Sequence, residues 1–403
     1  MIENKDNMKN KSKIPFIFFI LIYFQQGFVS LPDQALYYLT REVWCLSLGM
    51  VTFIPFITGL AWYCKPIFGF LMDNFKIGKQ SSRNYLLINA VGLISVFSYI
   101  IIFGLSSVTS IIITGLLINI FIGCSDVAND TQMVMYEQKY NLKGKLQAVQ
   151  WSALGVAGLI VTLLGAKIPS IFPDLIAYKY AYGIVLIVPF IVIGYLLTRY
   201  KEEATVKKEK IDWKEIWREL KNKQLLFALL FIGCLQLCPS FGTPLMDIAR
   251  KELGVDRMFL GYLGATGTVL GVSGYMLYYW KFHKFPLKKL LFFMIAFTAF
   301  TNLFYLYIPS KWFLLGYNLA FGTFSGVAFM GLLSFFAQIV PKGNEGTFYA
   351  LVTSLSNLCG RGGNWIGGII YDAHGYNATV IISTLFTLAC LFFIPKLRIK
   401  EKS

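Results

Sequence analysis

Twelve apolar stretches follow one another along this chain, each close to the ~20 residues that a helix needs to cross a hydrocarbon layer about 30 Å thick. They run at roughly 14–38, 44–71, 84–105, 108–136, 146–168, 178–198, 225–249, 258–280, 287–308, 312–339, 347–371 and 375–395. Only 14% of the residues are charged, against about 25% in a soluble domain, while 56% are hydrophobic and 17% aromatic. The pattern predicts an all-α integral membrane protein of twelve transmembrane helices.

A net charge of +16 would fit a nucleic-acid binder, but its placement fits a membrane topology instead. With both termini inside, the segments on that face hold 28 of the Lys and Arg residues, nine of them in 199–223, and the opposite loops hold 7. Cationic loops stay cytosolic, so both termini are expected in the cytosol, and no nucleic-acid partner is implied. The predicted layout is a cytosolic segment 1–13, a six-helix bundle 14–198, a cytosolic linker 199–224, a second bundle 225–395 and a cytosolic tail 396–403. In the linker, Ile211, Trp213, Ile216, Trp217 and Leu220 lie near helical spacing, as an amphipathic surface helix or a solvated linker would have them. Met1–Lys13 is polar and basic, and the run after it is long enough to span, so the first helix is expected to stay uncleaved.

Other function classes find few parts. The seven cysteines are scattered with no C-x-x-C pair, and the two histidines, His283 and His374, fall at span ends. Neither a metal site, a cofactor nor a nucleophile–base pair is signalled, so no enzyme is expected. A receptor or scaffold would carry a soluble domain, yet every loop except 199–223 is short.

The halves echo each other. Shifted by 200, Phe121, Ser125, Val127 and Ala128 recur as Phe321, Ser325, Val327 and Ala328; shifted by 202, Gly59, Gly69 and Gly165 recur as Gly261, Gly271 and Gly367. Leu39-Thr-Arg-Glu42 is echoed by Ala249-Arg-Lys-Glu252. Two six-helix pseudo-repeats follow.

Polar residues inside the spans are the candidate functional groups. The apolar run Ile111–Ile122 leads directly into Asp126 and Asp130, four residues apart and so on one helix face. A charge at that depth costs roughly 2.5–3.5 kcal/mol on insertion scales, so such groups face a cavity or an internal partner. Two cations lie within spans: Lys65, just before Pro66, and Arg361, among Gly360, Gly362 and Gly363. Either one could be that partner. Gln25-Gln26-Gly27 and Leu31-Pro32-Asp33 are expected to bend or unwind the first span, and Gln236 to Pro244 the seventh. Gln25, Gln26 and Gln236 lie about 17 Å up their helices, near the midplane.

Several of these stretches together resemble the folate–biopterin transporter family of the major facilitator superfamily. They are Gln26-Gly27 through Leu31-Pro-Asp-Gln-Ala-Leu-Tyr-Tyr-Leu39, Lys65-Pro-Ile-Phe-Gly-Phe-Leu-Met-Asp73, Asp126-Val-Ala-Asn-Asp130, Gly144-Lys-Leu-Gln-Ala-Val-Gln-Trp151, Glu345-Gly-Thr-Phe-Tyr-Ala-Leu-Val-Thr-Ser354 and Gly367-Gly-Ile-Ile-Tyr-Asp372. The resemblance implies a major facilitator fold and secondary active transport of folate, biopterin or a related pterin by alternating access; the in-span carboxylates, with no obvious sodium site beside them, point to a proton symport, while Ser30 and the Leu31-Pro32 break leave a sodium site open. The rival reading is a facilitator of another small organic anion or metabolite. The implied partners are the pterin or folate substrate, protons and the lipid bilayer, with the chain a monomer in the plasma membrane or an organelle membrane.

A pterin ring offers adjacent N–H groups that a carboxylate accepts in pairs. The expected substrate-binding residues are therefore Asp126, Asp130, Asn129, Gln147, Gln150, Gln26, Arg361 and Lys65, with Asp126 and Asp130 also the candidates for proton coupling. Gly69 and Asp73 keep the start of the facilitator signature between spans two and three. Its basic part is loosened to Lys76, Lys79 and Arg83, and Gly69, Asp73 and Arg83 are the gating candidates.

Overall fold

The computed structural model describes residues 14–140, 145–202, 218–219, 221–341 and 345–397, and among them every regular element is helical. The first span comprises Phe16–Phe28, a turn, Asp33–Tyr38 and one turn of π-helix at Leu39–Val43. The second is broken into Leu48–Thr58, Leu60–Tyr63 and Lys65–Asn74. Ser81–Phe103, Val108–Tyr140, Lys145–Ile171 and the pair Asp174–Val185 and Ile187–Thr198 follow. The seventh span divides into Lys223–Gln236 and Gly242–Lys251, after which come Arg257–Trp280, Leu287–Asn302 and Lys311–Ile339. Glu345–Ala389 carries the last two spans, parted at Gly375, whose φ of +79° lies where glycine meets no Cβ penalty. Among the described residues, eight helical stretches are long and apolar enough to cross a membrane, one of them covering both of these final spans.

The breaks have local causes. Pro32 stops the first helix, and Pro66 sits in the opening turn of Lys65–Asn74, where its missing N–H is harmless. The expected break at Gln25-Gln26-Gly27 does not occur: Phe16–Phe28 passes through it unbroken. A Cβ on Gly27 would stand 2.9 Å from Ala157 Cβ, so this glycine serves close helix packing rather than unwinding. The break in the seventh span is present. Ser240 N donates to Gly363 O at 3.0 Å, so a backbone amide freed by the break finds its acceptor on a neighbouring helix.

The described residues pack as two compact units, Met1–Leu36 with Cys64–Glu209 and Tyr37–Tyr63 with Lys210–Ser403. In the first unit, Phe18 and Phe19 are fully buried, and Phe18 stacks on Tyr200 with ring centroids 4.2 Å apart. In the second, Phe231, Phe335, Phe336 and Val352 form the core, and Gly274 meets Gly326 backbone to backbone. Lipid removes the hydrophobic drive between helices, so such close approach is what holds them together. Outward-facing Ile102, Phe103, Met276 and Phe392 supply an apolar exterior. The linker expectation for Ile211 through Leu220 lies outside the described residues.

Candidate functional site

The Val108–Tyr140 helix is 33 residues long, about 50 Å at 1.5 Å per residue, and so outreaches the hydrocarbon layer. Asp126 lies about 27 Å from its start, well inside the span. Lys65 opens the helix that packs against it. Lys65 and Gly69, four residues apart, share one face; Lys65 Nζ donates to Asp126 Oδ2 at 2.5 Å, and a Cβ on Gly69 would lie 3.9 Å from Val127. Of the two in-span cations, Lys65 is thus in contact with Asp126. Asp126 is only 2% exposed, so this is a desolvated ion pair.

The second carboxylate is held differently. Tyr23 Oη donates to Asp130 Oδ1 at 2.9 Å. Tyr23 stands one turn before Gly27, whose close seat against Leu154 and Ala157 fixes Phe16–Phe28 on Lys145–Ile171. Gln150, on that latter helix, lies beside Asp130. Asn129 and Gln150 are fully buried, and no protein group bonds to either polar atom of their side-chain amides; Gln25 Oε1 and Gln26 Oε1 are likewise unmatched. Buried amides without partners are rare in a settled core, where they mark places with a further role.

The structure therefore brings Lys65, Asp126, Asn129, Asp130 and Gln150 into one unit, with Gln26 on the helix that carries Tyr23. Gln147 is in the same unit and exposed. Arg361 is in the other unit, where its Nη1 donates to Pro55 O at 2.7 Å, and Gln236 there donates to Ser356 Oγ at 2.6 Å. Arg83 is tied within its own unit: Nε donates to Leu196 O at 2.7 Å, and its backbone N–H to Glu202 at 3.0 Å. The side chain of Asp73 lies outside the described residues.

Two arrangements escaped the sequence. Tyr23 carried no signal, being one of 23 tyrosines. In the second unit, Asp247, 1% exposed, accepts from Arg41 through Nε and Nη2 (both 2.8 Å), Lys251 Nζ (2.9 Å), Tyr371 Oη (2.9 Å) and Tyr37 Oη (3.3 Å). Glu42 beside it takes Arg250 at 3.1 Å and Arg257 at 2.7 Å. The echoing segments around Arg41-Glu42 and Arg250-Lys251 are thus bonded to each other, which their likeness could have flagged.

Helices of this length and order, with an ion pair buried inside the spans, define a multi-pass membrane transporter of the major facilitator fold. The chain superposes on the crystal structure of a D-xylose–proton symporter with a TM-score of 0.68 at 16% identity, covering 95% of this chain and 96% of that one. It belongs to the BT1 family, whose model matches residues 26–397. It is 25% identical to a folate-biopterin transporter of Synechocystis, over 95% of this chain and 82% of that protein. It is 22% identical to folate transporter 1 of Plasmodium falciparum, over 97% and 81%. Family and fold are those of transporters, not enzymes.

Proposed function

We propose that this chain moves folate, biopterin or a related pterin across a membrane by alternating access, coupled to protons. The observation that carries the reading is the cluster of two in-span carboxylates and unmatched buried amides, Asn129 and Gln150, in a chain that matches its family from residue 26 to 397. Carboxylate oxygens accept ring N–H groups, and amides supply a donor and an acceptor each, which is the complement of a pterin's polar edge. Asp126, Asp130, Asn129, Gln147, Gln150, Gln26, Lys65 and Arg361 are the residues proposed for binding. Asp126 and Asp130 are the groups through which a proton would couple, and Gly69, Asp73 and Arg83 take the gating role.

Uptake into proteoliposomes under one imposed gradient at a time tests this. An acid-outside gradient is expected to drive accumulation of labelled folate or biopterin. Each charge moved through 100 mV supplies about 2.3 kcal/mol, a roughly fifty-fold gradient for a neutral substrate. Accumulation that follows sodium and ignores protons would reject the coupling, and accumulation of unrelated organic anions alone would reject the substrate.

We place both termini in the cytosol, from the 28-to-7 division of basic residues, and the chain, as a monomer, in the plasma membrane or an organelle membrane. A cysteine substituted at Lys208 is expected to resist an impermeant thiol reagent added to intact cells and to react once they are opened. Labelling from outside would reverse the orientation.

A further inference from the structure

Charge is not shared evenly between the two carboxylates of the first unit. Asp126 has an ammonium in contact, Lys65 Nζ. Asp130 accepts from the neutral hydroxyl of Tyr23, which also faces Asp126, so when both carboxylates are ionised the three groups Asp126, Asp130 and Lys65 carry one negative charge in excess. The groups that face Asp130 are Tyr23 from Phe16–Phe28, Lys65 from Lys65–Asn74, Asp126 from its own helix and the uncharged Gln150 from Lys145–Ile171. Among these groups, one cation faces two carboxylates.

We propose that Tyr23 is a positioning residue for transport, whose hydroxyl holds Asp130 by one oxygen, keeps Lys65 committed to Asp126, and presents the second oxygen of Asp130 to the transported proton or a substrate N–H. Tyr23 is suited to this because its ring is buried and its helix is fixed by the tight seat of Gly27, one turn on, against Leu154 and Ala157. A tyrosine adds no charge of its own, so it orients the carboxylate without neutralising it, which an arginine or lysine at the same place would do. Without the hydroxyl, Asp130 turns toward Lys65, and the two carboxylates divide one ammonium. The role rests on the transport reading above.

The test is Tyr23→Phe, which removes one oxygen and leaves the ring packing in place, with Tyr180→Phe, an exposed ring stacked on Phe172, as the control. KM for the pterin is expected to rise about tenfold, the equivalent of one charge-assisted hydrogen bond. The pH at which uptake is half-maximal is expected to move, because Asp130 exchanges a hydroxyl partner for a share of the Lys65 ammonium. Tyr180→Phe is expected to leave both unchanged. A Tyr23→Phe protein that is well folded, with KM and pH profile as before, would overturn the proposal. Absence of pterin uptake by the unsubstituted protein would overturn the transport reading instead, and a second measurement then decides for Tyr23 without any substrate. Infrared titration of the purified protein shows the Asp130 carboxyl as the band lost in Asp130→Asn. That band is expected to titrate at a different pH in Tyr23→Phe, and an identical titration would refute the positioning role.

Discussion

Lys65→Met is expected to destabilise the purified protein by about 3–5 kcal/mol, because it leaves the Asp126 carboxylate buried and without its counter-ion. The geometry behind this is direct: Asp126 is 2% exposed and its Oδ2 touches the Lys65 ammonium. Asp126→Asn alone should do similar harm from the other side, stranding the ammonium. Replacing both together removes the charge imbalance, and the double variant is expected to regain most of the lost stability. Thermal unfolding in detergent, followed through the full double-mutant cycle, measures the coupling between the two positions. A Lys65→Met protein as stable as the parent, or a double variant no better than either single one, would show that the pair is not the buried contact described.

The second large effect is expected at Asp247. Its five donors include both arms of the Arg41 guanidinium, and the carboxylate itself is 1% exposed. Asp247→Ala removes the shared acceptor from two cations and two tyrosines at once, with an expected loss of about 3–5 kcal/mol. Neighbouring Glu42 provides the internal control. Its side chain is 29% exposed, and its pairs with Arg250 and Arg257 are those of a wetter rim, where single ion pairs contribute about 0–1 kcal/mol. Glu42→Gln is therefore expected to shift the unfolding midpoint far less than Asp247→Ala. Equal shifts would mean that the Asp247 cluster is solvated in the native protein.

Much of the fold was legible because lipid simplifies the problem. A backbone that must satisfy itself turns each long apolar run into a helix, and the breaks at Pro32 and in the seventh span near Pro239 followed from missing donors. Gln25-Gln26-Gly27 was misread because polarity and glycine are ambiguous in a span. The same three residues serve an unwound helix or a tight, continuous contact, and only the neighbouring Ala157 decides. In the site, Asp126, Asp130 and Lys65 stood out because charge is costly in an apolar run. Which cation met Asp126 was not legible, since Lys65 is 61 residues away in the chain and spacing carries no information at that distance. Tyr23 was hidden for the opposite reason: an aromatic residue in an apolar helix looks like every other one, and its hydroxyl acquires meaning only from Asp130, 107 residues on.

Leu48 and Gly49 open the Leu48–Thr58 helix, where backbone amides normally lack acceptors, yet both donate to Asp372, at 2.9 and 2.6 Å. That carboxylate comes from the far end of the chain, 324 residues from Leu48. Exchange of these two amides with solvent deuterium therefore times how often the carboxylate lets go. A pair of signals at the beginning of a helix becomes a clock for the docking of Tyr37–Tyr63 on Glu345–Ala389, readable without a substrate or a substitution.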